Sequence, residues 1–110
     1  MKEMINFDHF TKLDIRIGTI KSAERIDGSS KLVKLLIDLG SETRQLIAGI
    51  GETISDLGTL IDRQIPVLIN LEPKIIKGFE SQGMILAVDD NDKPILLHPE
   101  GYISPGSIVR

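Results

Sequence analysis

Cysteine and tryptophan are absent from the 110 residues, and the only aromatics are Phe7, Phe10, Phe79 and Tyr102. Without Cys there is no thiolate zinc site, no disulfide framework and no cysteine nucleophile. No apolar run approaches the roughly 18 residues of a bilayer-spanning helix. Met1–Phe10 carries Lys2, Glu3 and Asp8, which is not the pattern of a signal peptide. The expectation is one cytoplasmic domain over 1–110, with no membrane segment.

Catalytic patterns are missing too. His9 and His98 are the only histidines, and neither stands at metal-ligand spacing to another His or Glu. There is no nucleophile elbow. Gly49-Ile50-Gly51 follows a strand pattern, but Ile54 occupies the third glycine position of a dinucleotide fingerprint and Glu52 would repel phosphate. Asp89, Asp90 and Asp92 lack the turn glycine and distal glutamate of an EF-hand loop, so a solvated hairpin tip is expected. The chain is therefore expected to hold no catalytic residue, no metal and no cofactor.

Basic charge is in the minority: 13 Lys+Arg against 16 Asp+Glu, net −3. An acidic chain poor in aromatics argues against nucleic-acid binding. The average conceals a segment of the opposite sign. Lys12–Lys34 holds six cations (Lys12, Arg16, Lys21, Arg25, Lys31, Lys34) against Asp14, Glu24 and Asp27, a local +3. A polyanion responds to the local field, not only to the net charge.

What the chain has in abundance is isoleucine: 18 Ile, with 13 Leu and four Val. Its branched Cβ favours strands, and ten Gly and five Pro supply turns. Ile5–Thr11 suits one short helical turn. Leu13, Ile15 and Ile17 alternate with polar residues, and the phase slips after Gly18, which predicts a bulge or bend there. Strands are expected at Lys31–Leu39, Thr43–Ile50, Gln64–Leu71, Gly83–Val88 and Pro94–Leu97, with a last short one at Ser107–Val109. Val33, Leu35, Ile37 and Leu39 share one face of the second strand. Ile54, Leu57, Leu60 and Ile61 predict a short imperfect helix capped by Thr53 or Ser55. This order predicts an all-β domain, an OB-fold five-stranded Greek-key barrel with a short helix between strands 3 and 4 and short terminal extensions. An SH3-like barrel is the competing architecture.

The segment Asn70–Ala87 (NLEPKIIKGFESQGMILA) reads as a long functional connection between strands. Lys74 and Lys77 offer cations, Ser81 and Gln82 offer hydroxyl and amide groups, and Phe79 and Met84 offer apolar contact. Phe79 suits either a base contact or a plug at the barrel end.

Three blocks, Phe7–Gly18, Lys31–Ile50 and Asn70–Ala87, resemble the small tRNA-binding domain proteins. That family includes free-standing tRNA-binding proteins, the C-terminal domain of many methionyl-tRNA synthetases and EMAP II-type modules. The third block follows the family's Asn-Leu-x-Pro-(Lys/Arg)-x-(Leu/Ile)-x-Gly-x-x-Ser-x-Gly-Met pattern. The resemblance implies an OB-fold, a homodimer joined by segments outside the barrel, and tRNA binding by shape and backbone contacts. It also implies partnership with an aminoacyl-tRNA synthetase as an accessory subunit. Carried onto this chain, the tRNA-binding candidates are Lys31, Arg44, Asn70, Lys74, Lys77, Ser81, Gln82 and Met84. Lys74 and Lys77 would neutralise phosphates; Arg44 and Lys31 would extend the basic surface along the strands; Asn70, Ser81 and Gln82 would bond nucleotide edges or 2′-hydroxyls; Met84 would pack beneath the loop. The chain departs from the family pattern at Ile26–Ser30, where His-Pro-x-Ala-Asp is usual, and at Gly51–Thr53, where a Tyr-rich segment is common. These departures leave room for the CsaA-like branch, export-related chaperones that share the barrel and bind peptides.

Overall fold

The barrel is built around β1 (Ile15–Arg25), in a computed structural model that describes Met1–Arg110. Its first half pairs antiparallel with β4 (Gln64–Leu68), from Ile15↔Leu68 to Thr19↔Gln64. Its second half pairs with β2 (Val33–Asp38), from Thr19↔Asp38 to Arg25↔Val33. One strand can serve two partners because it bends, and the register shifts between Ile20 and Ser22. The bulge thus lies just beyond the glycine where the pattern slips. Gly18 has a separate duty: a Cβ there would lie 2.1 Å from Ile37 Cγ2, so only glycine lets β2 close on β1.

On the far side of β2, β3 (Thr43–Ala48) pairs from Val33↔Ala48 to Asp38↔Thr43. A single 3-10 turn, Leu57–Leu60, links β3 to β4. The expected helix shrinks to this turn, and its cap is Asp56, whose carboxylate accepts from Gly58 N at 2.9 Å. Thr53 instead donates its hydroxyl back to Ile50 O at 3.1 Å. Beyond β4 come β5 (Lys74–Ile76), β6 (Phe79–Ser81) and β7 (Met84–Ile85). β7 lies on the other edge of β4, giving the order β3-β2-β1-β4-β7. The seam between the ends of that order is bridged by Gln82 N, which donates to Gln45 O at 2.8 Å.

The expected strand Gly83–Val88 is two strands. Leu86 N still donates to Pro66 O, at the end of the β4 pairing, and β8 (Ala87–Asp90) then leaves to form a hairpin with β9 (Lys93–Leu96). Asn91 and Asp92 make its tip with φ of +51° and +67°, as a two-residue primed turn requires. Helix α1 (Phe7–Thr11) precedes the barrel, and β10 (Ile108–Val109) pairs with the start of β1.

The interior is aliphatic: Ile20, Val33, Leu35, Ile37, Leu39, Leu46, Ala48, Ile50, Leu60, Ile65 and Val67 form one cluster. The inward phase of β2 is as the alternation predicts, and each such branched side chain contributes roughly 1.5–3 kcal/mol on full burial. The result is a nearly closed all-β barrel of the OB-like kind, with a short helical turn between the third and fourth strands.

Candidate nucleic-acid interface

Asn70–Ala87 is not an irregular loop. Ile76↔Phe79 closes a β5–β6 hairpin over Lys77 and Gly78, whose φ values of +53° and +82° suit a type I′ turn. The hairpin docks against the free edge of β3. Ser81 is buried, and its Oγ accepts from Ile47 N at 3.0 Å and donates to Gly83 O at 3.1 Å. Gln82 Oε1 accepts from Gln45 N at 3.0 Å, and Gln45 Nε2 donates to Glu80 O at 2.9 Å. Ser81 and Gln82 thus fasten the hairpin to the barrel.

Arg44 and Asn70 are engaged in the same way. Arg44 pairs with Glu42, and its Nη1 donates to the carbonyl oxygens of Ile69 and Gln82. Asn70 Oδ1 accepts from Asp14 N at 2.8 Å while its Nδ2 donates to Lys12 O at 2.6 Å. Both sides of the amide are spent joining the end of β4 to the approach to β1. Met84 was expected beneath the loop; on β7, opposite Leu68, it stays 46% exposed.

The lysines are different. Lys74, opposite Ser81, and Lys77, at the turn, are exposed and have no carboxylate partner. Lys31 is exposed just ahead of β2, its stem lying over Gly49, where a Cβ would come within 2.8 Å of Cε. Lys34, on the outward phase of β2, joins them. Its Nζ stands 5.0 Å from the centroid of the Phe79 ring and 3.7 Å from Glu24 Oε2. Phe79 is therefore no plug: it is half-buried on the outside of the barrel, apart from the core cluster. The alternation in β2 puts Lys34 on the polar face, but only the returning hairpin brings an aromatic to it.

The positive excess in Lys12–Lys34 is partly spent. Arg16 is bonded to Asp14 at 2.6 Å, and that hydrogen bond raises the guanidinium pKa despite some desolvation. Lys21 meets Asp62 at 3.1 Å, and the same kind of hydrogen bond raises its pKa above the ordinary value. Arg25 donates to Gly51 O and Ile54 O, both at 2.8 Å. What remains is Lys74 and Lys77 on the hairpin and Lys34 beside it, with the Phe79 ring among them; Lys31 lines a cleft with Gly49, Asp89, Asp92 and Pro94 at the β8–β9 hairpin.

Residues 15–108 match the family model described as "Putative tRNA binding domain". The chain is 53% identical over 111 residues to a methionine–tRNA ligase of Methanococcoides burtonii, and 44% identical over 105 residues to that of Thermotoga maritima. These alignments cover 99% and 96% of the chain, which spans only 16% of the length of either relative. Among solved structures, a MetRS-related protein from Pyrococcus horikoshii superposes with a TM-score of 0.92 at 33% identity, covering 99% of this chain and all of that one. The chaperone CsaA of Bacillus anthracis gives a TM-score of 0.88 at 32% identity, over 98% of this chain and all of that one. By sequence and by barrel, the chain belongs to the tRNA-binding domain family.

Proposed function

We propose that this chain is a non-catalytic tRNA-binding module that selects shape and backbone rather than sequence, acting free-standing or as an accessory subunit of methionyl-tRNA synthetase in the cytoplasm. The observation that carries this reading is the pair of exposed hairpin lysines without a carboxylate partner, Lys74 and Lys77, in a chain of this family. Lysines act as mobile point charges for phosphates, and a local cluster of them attracts a polyanion although the net charge is −3. Counterion release then governs affinity, so binding falls steeply with salt. A gel shift with bulk tRNA tests this: a shift at micromolar protein and low salt that disappears at high salt supports the reading. No shift, or one insensitive to salt, overturns it.

A homodimer belongs to the same reading. Phe7, Phe10, Leu13, Ile108 and Val109 form an exposed apolar surface where α1 and β10 meet, outside the barrel. An apolar patch of this kind suits an isologous contact between two copies. Sedimentation equilibrium checks it, with Phe7→Asp expected to give monomers.

The likeness to CsaA favours one second reading, a peptide-binding chaperone on the same barrel, with Ile75 (65% exposed) as an apolar contact. Suppression of client aggregation that tRNA fails to compete away would favour it over tRNA binding.

A further inference from the structure

Phe79 is placed in an unusual way for the one aromatic of a lysine-rich surface. It lies outside the core cluster, half-buried. Lys34 Nζ lies over its ring at 5.0 Å, and Glu24 Oε2 holds the same ammonium at 3.7 Å. Glu24 and Lys34 are directly opposite each other in the β1–β2 register, so the strands themselves aim this cation. Lys77 is adjacent to Ile76, the cross-strand partner of Phe79.

The covering contact is a weak one. The Lys34 side chain retains 29% exposure, Glu24 is well exposed, and a cation–π contact in water gives less than stacking a nucleobase on the same ring. The lysine stem is also flexible enough to turn its ammonium aside without moving β2. A base on Phe79 would have its own phosphates within the field of Lys34 and Lys77.

We infer that Phe79 is the docking point for one unpaired nucleobase, and that Lys34 is a displaceable cover which leaves the ring for the phosphate of the arriving nucleotide. This rests on the tRNA reading above and sharpens it: the preferred ligand feature is a single-stranded RNA segment, not duplex shape alone. A base inside a helix offers no free face to stack, so a blunt duplex of equal charge reaches the lysines but not the ring.

The absence of tryptophan makes this testable, because Phe79→Trp introduces the only indole in the chain. Emission of this variant should be quenched saturably by a short single-stranded RNA and left unquenched by a blunt RNA duplex. Phe79→Leu should weaken tRNA binding about tenfold at fixed salt. Its salt slope should match wild type, because no charge is lost. Adding Lys34→Gln to Phe79→Trp should have opposite effects in the two salt regimes. At low salt the oligonucleotide binds more weakly, for want of the phosphate contact; at high salt it quenches at lower concentration, because the ring is uncovered. Equal tRNA affinity of Phe79→Leu and wild type, or equal quenching by duplex and single strand, overturns the stacking site. An unchanged high-salt titration in the double variant overturns the cover. If Phe79→Leu fails to fold, as judged by circular dichroism, the Phe79→Trp quenching decides alone. Failure of wild type to shift tRNA would overturn the broader reading, and the oligonucleotide titration would still judge the stacking site.

Discussion

Arg44 Nη1 donates to the carbonyl oxygen of Gln82 at 3.2 Å, across 38 residues of sequence. The same nitrogen reaches Ile69 O, so one guanidinium ties β3 to the ends of the segment that carries the hairpin. Arg44 holds the lysine surface in place, whatever charge it also lends to it. Arg44→Ala should cost about 1–3 kcal/mol, because two carbonyls lose their donor in a half-buried seam. Urea unfolding measures it, and Arg44→Lys should recover only part of the loss, since an ammonium lacks the planar fork.

Ser81→Ala should act in the same seam. The hydroxyl is buried and bridges Ile47 N and Gly83 O, so its removal strands a buried amide at a cost of about 1–3 kcal/mol. Hydrogen exchange should show the Ile47 amide losing protection first, before the core amides of β2.

Lys74→Ala combined with Lys77→Asn should weaken binding to all tRNAs alike and lower the salt slope by about two phosphate contacts. Asn tolerates the positive φ at position 77, so the turn survives the exchange. Stability should stay within about 0.5 kcal/mol of wild type, because both side chains are exposed. Gel shifts over a salt series, paired with thermal melts, check both halves.

Gly18→Ala tests the closure of the barrel. The new Cβ would meet Ile37 Cγ2 at 2.1 Å, and overpacking of this kind costs about 1–3 kcal/mol. The urea midpoint should fall while its slope stays the same.

Alkaline pH should report the Lys21–Asp62 pair. Lys21 is raised above its ordinary 10.5 by the hydrogen bond and charge of Asp62. Its contribution is fully present below 10.5 and is lost as pH rises through the higher folded value. Asp62→Asn should bring the Lys21 titration, followed by NMR, back toward 10.5 with little change in stability at neutral pH, because the pair is exposed.

The alternation of Val33, Leu35, Ile37 and Leu39 was enough to place β2 and its inward face, because a strand's period of two is a local property. The block Asn70–Met84 was enough to identify the family. The short helix was legible from the spacing of Ile54, Leu57, Leu60 and Ile61, but not its length or cap, since Gly58 and the Asp56 cap favour a single tight turn over a longer helix. The hairpin inside Asn70–Ala87 escaped because its three-residue strands are too short to show a period. Its type I′ turn also uses Lys-Gly in place of the usual Asn-Gly or Asp-Gly signal.

By itself the sequence determined the first four barrel strands in chain order, the aliphatic core and the presence of lysines in an acidic chain. Only the tertiary structure decided which polar groups are free. Arg44, Asn70, Ser81 and Gln82 look available in the sequence, yet each is bonded to backbone groups dozens of residues away. Lys34 is in turn brought to Phe79 by the docking of a hairpin on β3. Side-chain identity sets what a residue is able to bond, but a backbone amide or carbonyl left over at a barrel seam claims its partner only once the chain has closed.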